Sequence, residues 1–140
     1  MEHRYITEWF KYADMDYITA EHLRTLHPQP LEIICFHCQQ TAEKLLKGYL
    51  IYSGVTEPPK THNLDTLCLL CAEYDDRFHE IKKASGVLTQ YGIQPRYPNE
   101  MEIAEKDMQK ALEYTKQIRD FEPLVKIRTE IGMGQSPIKG

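Results

Sequence analysis

The segment from Pro30 to Tyr52 constrains the fold more than any other part of this 140-residue chain. Ile34, Cys38, Leu45, Tyr49 and Tyr52 recur at helical spacing, and Phe36, Ala42, Leu46 and Leu50 extend the apolar surface around much of the circumference. A helix apolar on most sides has to be enclosed, either at the centre of a bundle or in an oligomer interface. Pro30 suits its first turn, where a missing N–H costs no hydrogen bond, and Gly54 supplies a stop.

The flanking sequence repeats the helical signal and shows almost no strand pattern. A first helix is expected from about Ile6 to Leu26, with Trp9, Ala13, Asp16, Ala20 and Leu23 on one face, ended by His27-Pro28-Gln29-Pro30. After the proline-stiffened loop Val55–His62, Asn63 caps a third helix with Leu64, Leu67, Cys71, Tyr74 and Phe78 in its stripe. A shorter segment, about Arg77 to Tyr91, is either its kinked continuation or a separate helix. A last helix is expected from Asn99, with Glu102 completing a capping box and Ala104, Met108, Ala111, Thr115 and Ile118 buried, until Pro123 ends it. The chain is therefore expected to be all-α, an antiparallel up-and-down bundle of four to five helices over residues 1–122, with 123–140 a partly flexible C-terminal extension.

Charge limits what such a bundle binds. Net charge is −4 and the pI about 5.9, which excludes a whole-surface basic field for nucleic acid and leaves only locally placed cations. No apolar run reaches the roughly 18 to 20 residues that span a bilayer, and the first residues lack a secretory pattern. A cytoplasmic location is expected, with the four cysteines as thiols.

Several separated motifs carry a family resemblance. Trp9, then Ala13-Asp14-Met15-Asp16, then Ala20 open the chain. The segment Ile34-Cys35-Phe36-His37-Cys38-Gln39-Gln40-Thr41-Ala42-Glu43-Lys44-Leu45-Leu46-Lys47 follows, then Lys60-Thr61-His62-Asn63-Leu64 and Arg96-Tyr97-Pro98. In this order they resemble the HEPN domain family. The resemblance implies a helical bundle, commonly a homodimer, often paired with a minimal nucleotidyltransferase in a toxin–antitoxin-like module. It also implies a nucleotide-binding role, and ribonuclease activity in some branches. The ribonuclease branches carry an arginine followed, after four to six residues, by a histidine. None of Arg4, Arg24, Arg77, Arg96, Arg119 and Arg128 has a histidine at that spacing.

Candidate ligand-binding residues fall in three places. His37, Gln40, Lys44 and Lys47 lie at i, i+3, i+7 and i+10, a polar ridge that either holds a phosphate or keeps one face wet. Lys60 and His62 precede the third helix, where free N–H groups favour an anion. Arg96 and Tyr97 precede the last helix and suit a nucleotide, unless Arg96 pairs with an acid such as Asp16. Cys35-x-x-Cys38 and Cys68-x-x-Cys71 have zinc-like spacing but lie within helical periodicity among apolar residues, so no metal and no cofactor is expected. The favoured function is a non-catalytic binding partner, with nucleotide or RNA phosphate as its ligand and no catalytic residue assigned. The alternatives are a ribonuclease toxin using His37 or His62 with Arg96, and a purely structural dimer.

Overall fold

The computed structural model describes residues 3–92 and 102–134. Among the described residues the chain is helical, with no strand: α1 His3–Leu23, α2 Leu31–Tyr52, α3 Leu64–Ala72, α4 Lys82–Leu88, α5 Glu105–Arg119 and α6 Glu122–Glu130. Short 3₁₀ turns, Asp76–Ile81 and Thr89–Tyr91, flank α4. No described helix is long and apolar enough to cross a membrane.

Of its two expected places, α2 takes the centre of the bundle. Ile34, Cys38, Leu45, Leu46, Leu50 and Ile51 are buried on its different sides, against α1, α3, α4, α5 and α6. Burying a side chain of this kind stabilises the fold by roughly 1.5–3 kcal/mol, which is why an all-round apolar helix ends up inside. Gly48 lets α1 come close: a Cβ there would stand 2.8 Å from Phe10 Cε1.

The buried stripe of α1 is Ile6, Phe10, Ala13, Tyr17 and Ala20, about one position away from the face expected around Trp9 and Asp16. Trp9 and Asp16 sit instead at its edge, partly exposed. In α3, Asn63 caps as expected, its side chain accepting from Thr66 N at 3.0 Å. Leu64, Leu67, Cys71 and Phe78 are buried, but Tyr74 is exposed because the helix has ended at Ala72. Asp75 then caps a new segment through Arg77 N, so the chain from Arg77 to Tyr91 is separate from α3.

Two expectations for the C-terminal half are corrected. The last long helix begins at Glu105, not after Asn99, which lies outside the described residues; Asp107 reaches back to the Ala104 N–H at 2.9 Å, and Ala104 itself is exposed. Pro123 does not close the bundle. It stands in the first turn of α6, a place proline tolerates, and Leu124 and Ile127 enter the core. The boundary drawn after residue 122 thus falls inside a packed helix.

A buried ion cluster fastens α5 and α6 to α1. Asp14 accepts from Arg128 Nη2 at 2.6 Å, Arg128 Nη1 at 2.8 Å and Arg119 Nη2 at 3.0 Å. Two guanidiniums meet on one carboxylate, and each also lies over an aromatic face. Arg119 lies 4.1 Å from the centre of the Tyr17 ring and Arg128 lies 5.8 Å from that of Phe10.

Replacing Asp14 with Asn would leave the buried Arg128 guanidinium without its charge partner and weaken the hold on Arg119. A loss of about 3–5 kcal/mol is expected in urea unfolding. Asp120→Asn, which breaks the exposed Lys116–Asp120 pair, should cost no more than about 0.5 kcal/mol.

Candidate functional site

Two carboxylates on adjacent helices organise the polar side of α2. Glu43 points inward despite its charge, and it is matched on all sides. Lys47 Nζ donates to its Oε2 at 2.9 Å, Gln39 Nε2 to its Oε1 at 3.1 Å, and His62 Nδ1 lies 3.0 Å from Oε2. Gln40 Nε2 extends the network by donating to Gln39 Oε1 at 2.7 Å. The spacing explains the assembly: 39, 43 and 47 are successive i, i+4 steps and share one face of α2.

The loop before α3 brings His62 to this network. Gln39 Nε2 also donates to the His62 carbonyl at 3.0 Å, and Leu64 N donates to Thr89 Oγ1 at 2.8 Å. Both ends of the His62 segment are thereby held. A carboxylate only accepts, so the contact places a proton on His62 Nδ1 and leaves Nε2 with no partner among the described residues. The imidazole is 68% exposed, whereas the Lys47 side chain is only 7% exposed.

Burial raises the Glu43 pKa, but hydrogen bonds from Lys47, Gln39 and His62, together with the Lys47 charge, outweigh it. The carboxyl titrates below its ordinary 4.5.

Asp16 of α1 is the second hub. It accepts from Lys44 Nζ and lies 2.9 Å from His37 Nδ1, clasping α1 to α2. The ridge expected from His37, Gln40, Lys44 and Lys47 is therefore divided between two carboxylates: His37 and Lys44 meet Asp16, while Lys47 meets Glu43 and Gln40 reaches it through Gln39. Lys60 is exposed and makes no ion pair with a described residue. Arg96 and Tyr97 lie outside the described residues, and the described partners of Asp16 are His37 and Lys44.

Beside the Asp16 pair, Tyr5, Glu8, Trp9 and Tyr12 of α1 and Lys44 of α2 line a recess of about 220 Å³. A larger one, about 430 Å³, lies between α4 and α5 among Lys83, Tyr91, Asp107, Lys110 and Tyr114. Burial pushes Tyr91 there up to about 12. The cysteines are free and buried, and burial first, then mutual repulsion, pushes Cys35 up to about 12. No group of three potential metal ligands gathers among the described residues.

Sequence reasoning missed Gln39, saw in Glu43 only a partial neutraliser of the ridge lysines, and offered Asp16 to Arg96 and not to His37 and Lys44. The i, i+4 spacing of Gln39, Glu43 and Lys47 was the available signal for the first two. For Asp16 there was none, because its partners are 21 and 28 positions away.

The profile of the HEPN domain family matches residues 6–125. The fold is similar to that in the crystal structure of TT1696 from Thermus thermophilus, with a TM-score of 0.70 and 22% identity, covering 87% of this chain and 97% of that one. No curated relative matches the sequence.

Glu43→Gln should destabilise the protein by about 3–5 kcal/mol at neutral pH, since Lys47 is left buried without its charge partner. The depressed Glu43 pKa fixes the sign of the pH dependence. The contribution is present above 4.5 and is lost as pH falls through the lower folded value. In unfolding curves, the gap between Glu43→Gln and the unaltered chain should close as pH drops below 4.5.

Proposed function

This chain belongs to the HEPN domain family, and we propose that it serves as a non-catalytic binding partner of a minimal nucleotidyltransferase in a toxin–antitoxin-like module. The observation that supports this reading is the uncovered face of α1. Tyr5, Tyr12, Met15 and Ile18 stand exposed, with Trp9 partly exposed beside them. Apolar patches rimmed by charge on a small folded chain mark protein-binding surfaces, and aromatic side chains are the usual anchors. A homodimer through α2 and its neighbours belongs to the same proposal, with Ile33 exposed on that helix.

In this reading a nucleotide or RNA phosphate falls to Lys60 and His62. Lys44 and Lys47 already neutralise Asp16 and Glu43, so their charge is largely cancelled before any anion arrives.

A second reading rests on the Glu43–His62 pair. An imidazole held through Nδ1 by a buried carboxylate presents Nε2 as a base, which suits a ribonuclease using His62 with Arg96 as the cation.

One preparation separates the two. Co-expressed with a candidate minimal nucleotidyltransferase, the chain is expected to co-elute in size-exclusion chromatography, and Tyr12→Ala with Met15→Ala should weaken the complex about tenfold or more. Failure to co-elute would remove the partner reading. The same protein, incubated with tRNA and total RNA, should leave both intact; cleavage that disappears in His62→Ala would favour the ribonuclease instead.

A further inference from the structure

We propose that His62 is a phosphoryl-acceptor histidine: its Nε2 takes a phosphoryl group from an activated donor of the phosphoramidate or acyl phosphate class and carries it as a covalent modification. The proposal follows from the Glu43–His62 contact and stands independently of the partner-binding reading of α1.

The side chain is oriented, immobilised and open. Nδ1 lies 3.0 Å from Glu43 Oε2, which keeps the ring proton there and leaves the lone pair on Nε2. The backbone is held on either side of the ring, since the His62 carbonyl accepts from Gln39 Nε2 at 3.0 Å and Leu64 N donates to Thr89 Oγ1 at 2.8 Å. The imidazole is nonetheless 68% exposed, so a donor reaches Nε2 without displacing a described group. His37 makes the corresponding contact with Asp16, but only 24% of its side chain is exposed. His22 and His79 are exposed, yet among the described residues no buried carboxylate holds either one; His79 meets Asp76 at 3.5 Å, itself exposed. His62 alone of these four combines a buried carboxylate on Nδ1 with an open Nε2.

Surroundings distinguish an acceptor from a base. A general base has to lie within hydrogen-bond reach of a substrate that the protein holds in place. His62 lines neither the recess beside Asp16 nor the one between α4 and α5. A covalent acceptor needs no such walls, because the new bond holds the group.

Charge favours a phosphoryl group over an uncharged acyl group. Glu43 and Lys47 pair and cancel. Lys60, exposed two positions before His62 and without an ion-pair partner among the described residues, is left over. In the product the substituted ring, still protonated at Nδ1 toward Glu43, adds another positive charge. A phosphoryl group brings up to about two negative charges at neutral pH, which these two cations offset.

The Nε2 lone pair forms the new N–P bond as the bond from phosphorus to the leaving group breaks. With phosphoramidate the leaving group departs as ammonia, taking the electron pair of the broken bond; its nitrogen is already protonated. The Nδ1 proton stays between the ring and Glu43, and nothing is oxidised or reduced.

The full chain should be incubated with potassium phosphoramidate at neutral pH, and the phosphate on each histidine followed by tandem mass spectrometry. Acid lability with alkali stability identifies the label as phosphohistidine, and His22 and His79 on the same molecule serve as references. His62 is expected to be labelled at least about tenfold faster than either. The preference should vanish in chain unfolded with urea, where Glu43 no longer holds the ring. Lys60→Ala, a change at an exposed position, should slow labelling of His62 by about twofold or more.

Labelling of His62 no faster than that of His22 and His79 would overturn the proposal. A preference that persists in urea would overturn it too, since the reactivity would then belong to the local sequence and not to the fold. An unchanged rate in Lys60→Ala would overturn the assignment to a phosphoryl group. Co-elution with a nucleotidyltransferase is scored separately: failed labelling leaves the partner reading standing, and failed co-elution leaves the acceptor histidine standing.

Discussion

The buried carboxylate of Glu43 is the constraint on which the polar half of this molecule depends. A charge can sit inside a helical bundle only if it is matched and its lone pairs are filled, and Glu43 meets that condition with an ammonium, an amide and an imidazole drawn from α2 and from the loop before α3. Meeting it fixes the position of His62 and takes Lys47 out of circulation. Asp16 does the same to Lys44 and His37 at the α1–α2 seam. The surface left for partners consequently includes the exposed aromatic and apolar side chains along α1 and an exposed imidazole at the start of α3.

Much of the fold could be read from residue pattern because its determinants are local. The bounds of α2 need only the apolar spacing between Pro30 and Gly54, and the start of α3 needs only Asn63. The C-terminal half was harder. Asn99 and Glu102 look like a capping pair, yet Asp107 caps Ala104 at the true start of α5, and two overlapping signals of this kind cannot be ranked without knowing where the helix packs. Pro123 reads equally well as a stop or a first-turn residue, and Leu124 and Ile127 decided it by burial.

The ion pairs were invisible for a different reason. Asp14 meets Arg119 and Arg128 across 105 and 114 positions, a separation at which sequence spacing carries no information. In the candidate site, His37, Lys44, Lys47 and His62 could be picked out from the sequence, and Glu43 as a neighbour of the lysines, but the pairing of Asp16 with His37 and Lys44 and of His62 with Glu43 could not be assigned. That difference changes the chemistry from open phosphate cradle to internally neutralised clasp. It also shifts attention to His62, whose Nε2 stays open once Glu43 has claimed Nδ1.

The central claim is that the lysines of α2 are held by internal carboxylates and not open to ligands. Side-chain ammonium signals in the nitrogen-15 spectrum of labelled protein test it most directly. Lys47 should give a slowly exchanging signal that disappears in Glu43→Gln, while exposed Lys60 gives none under the same conditions. Exchange at Lys47 as fast as at Lys60 would contradict the account.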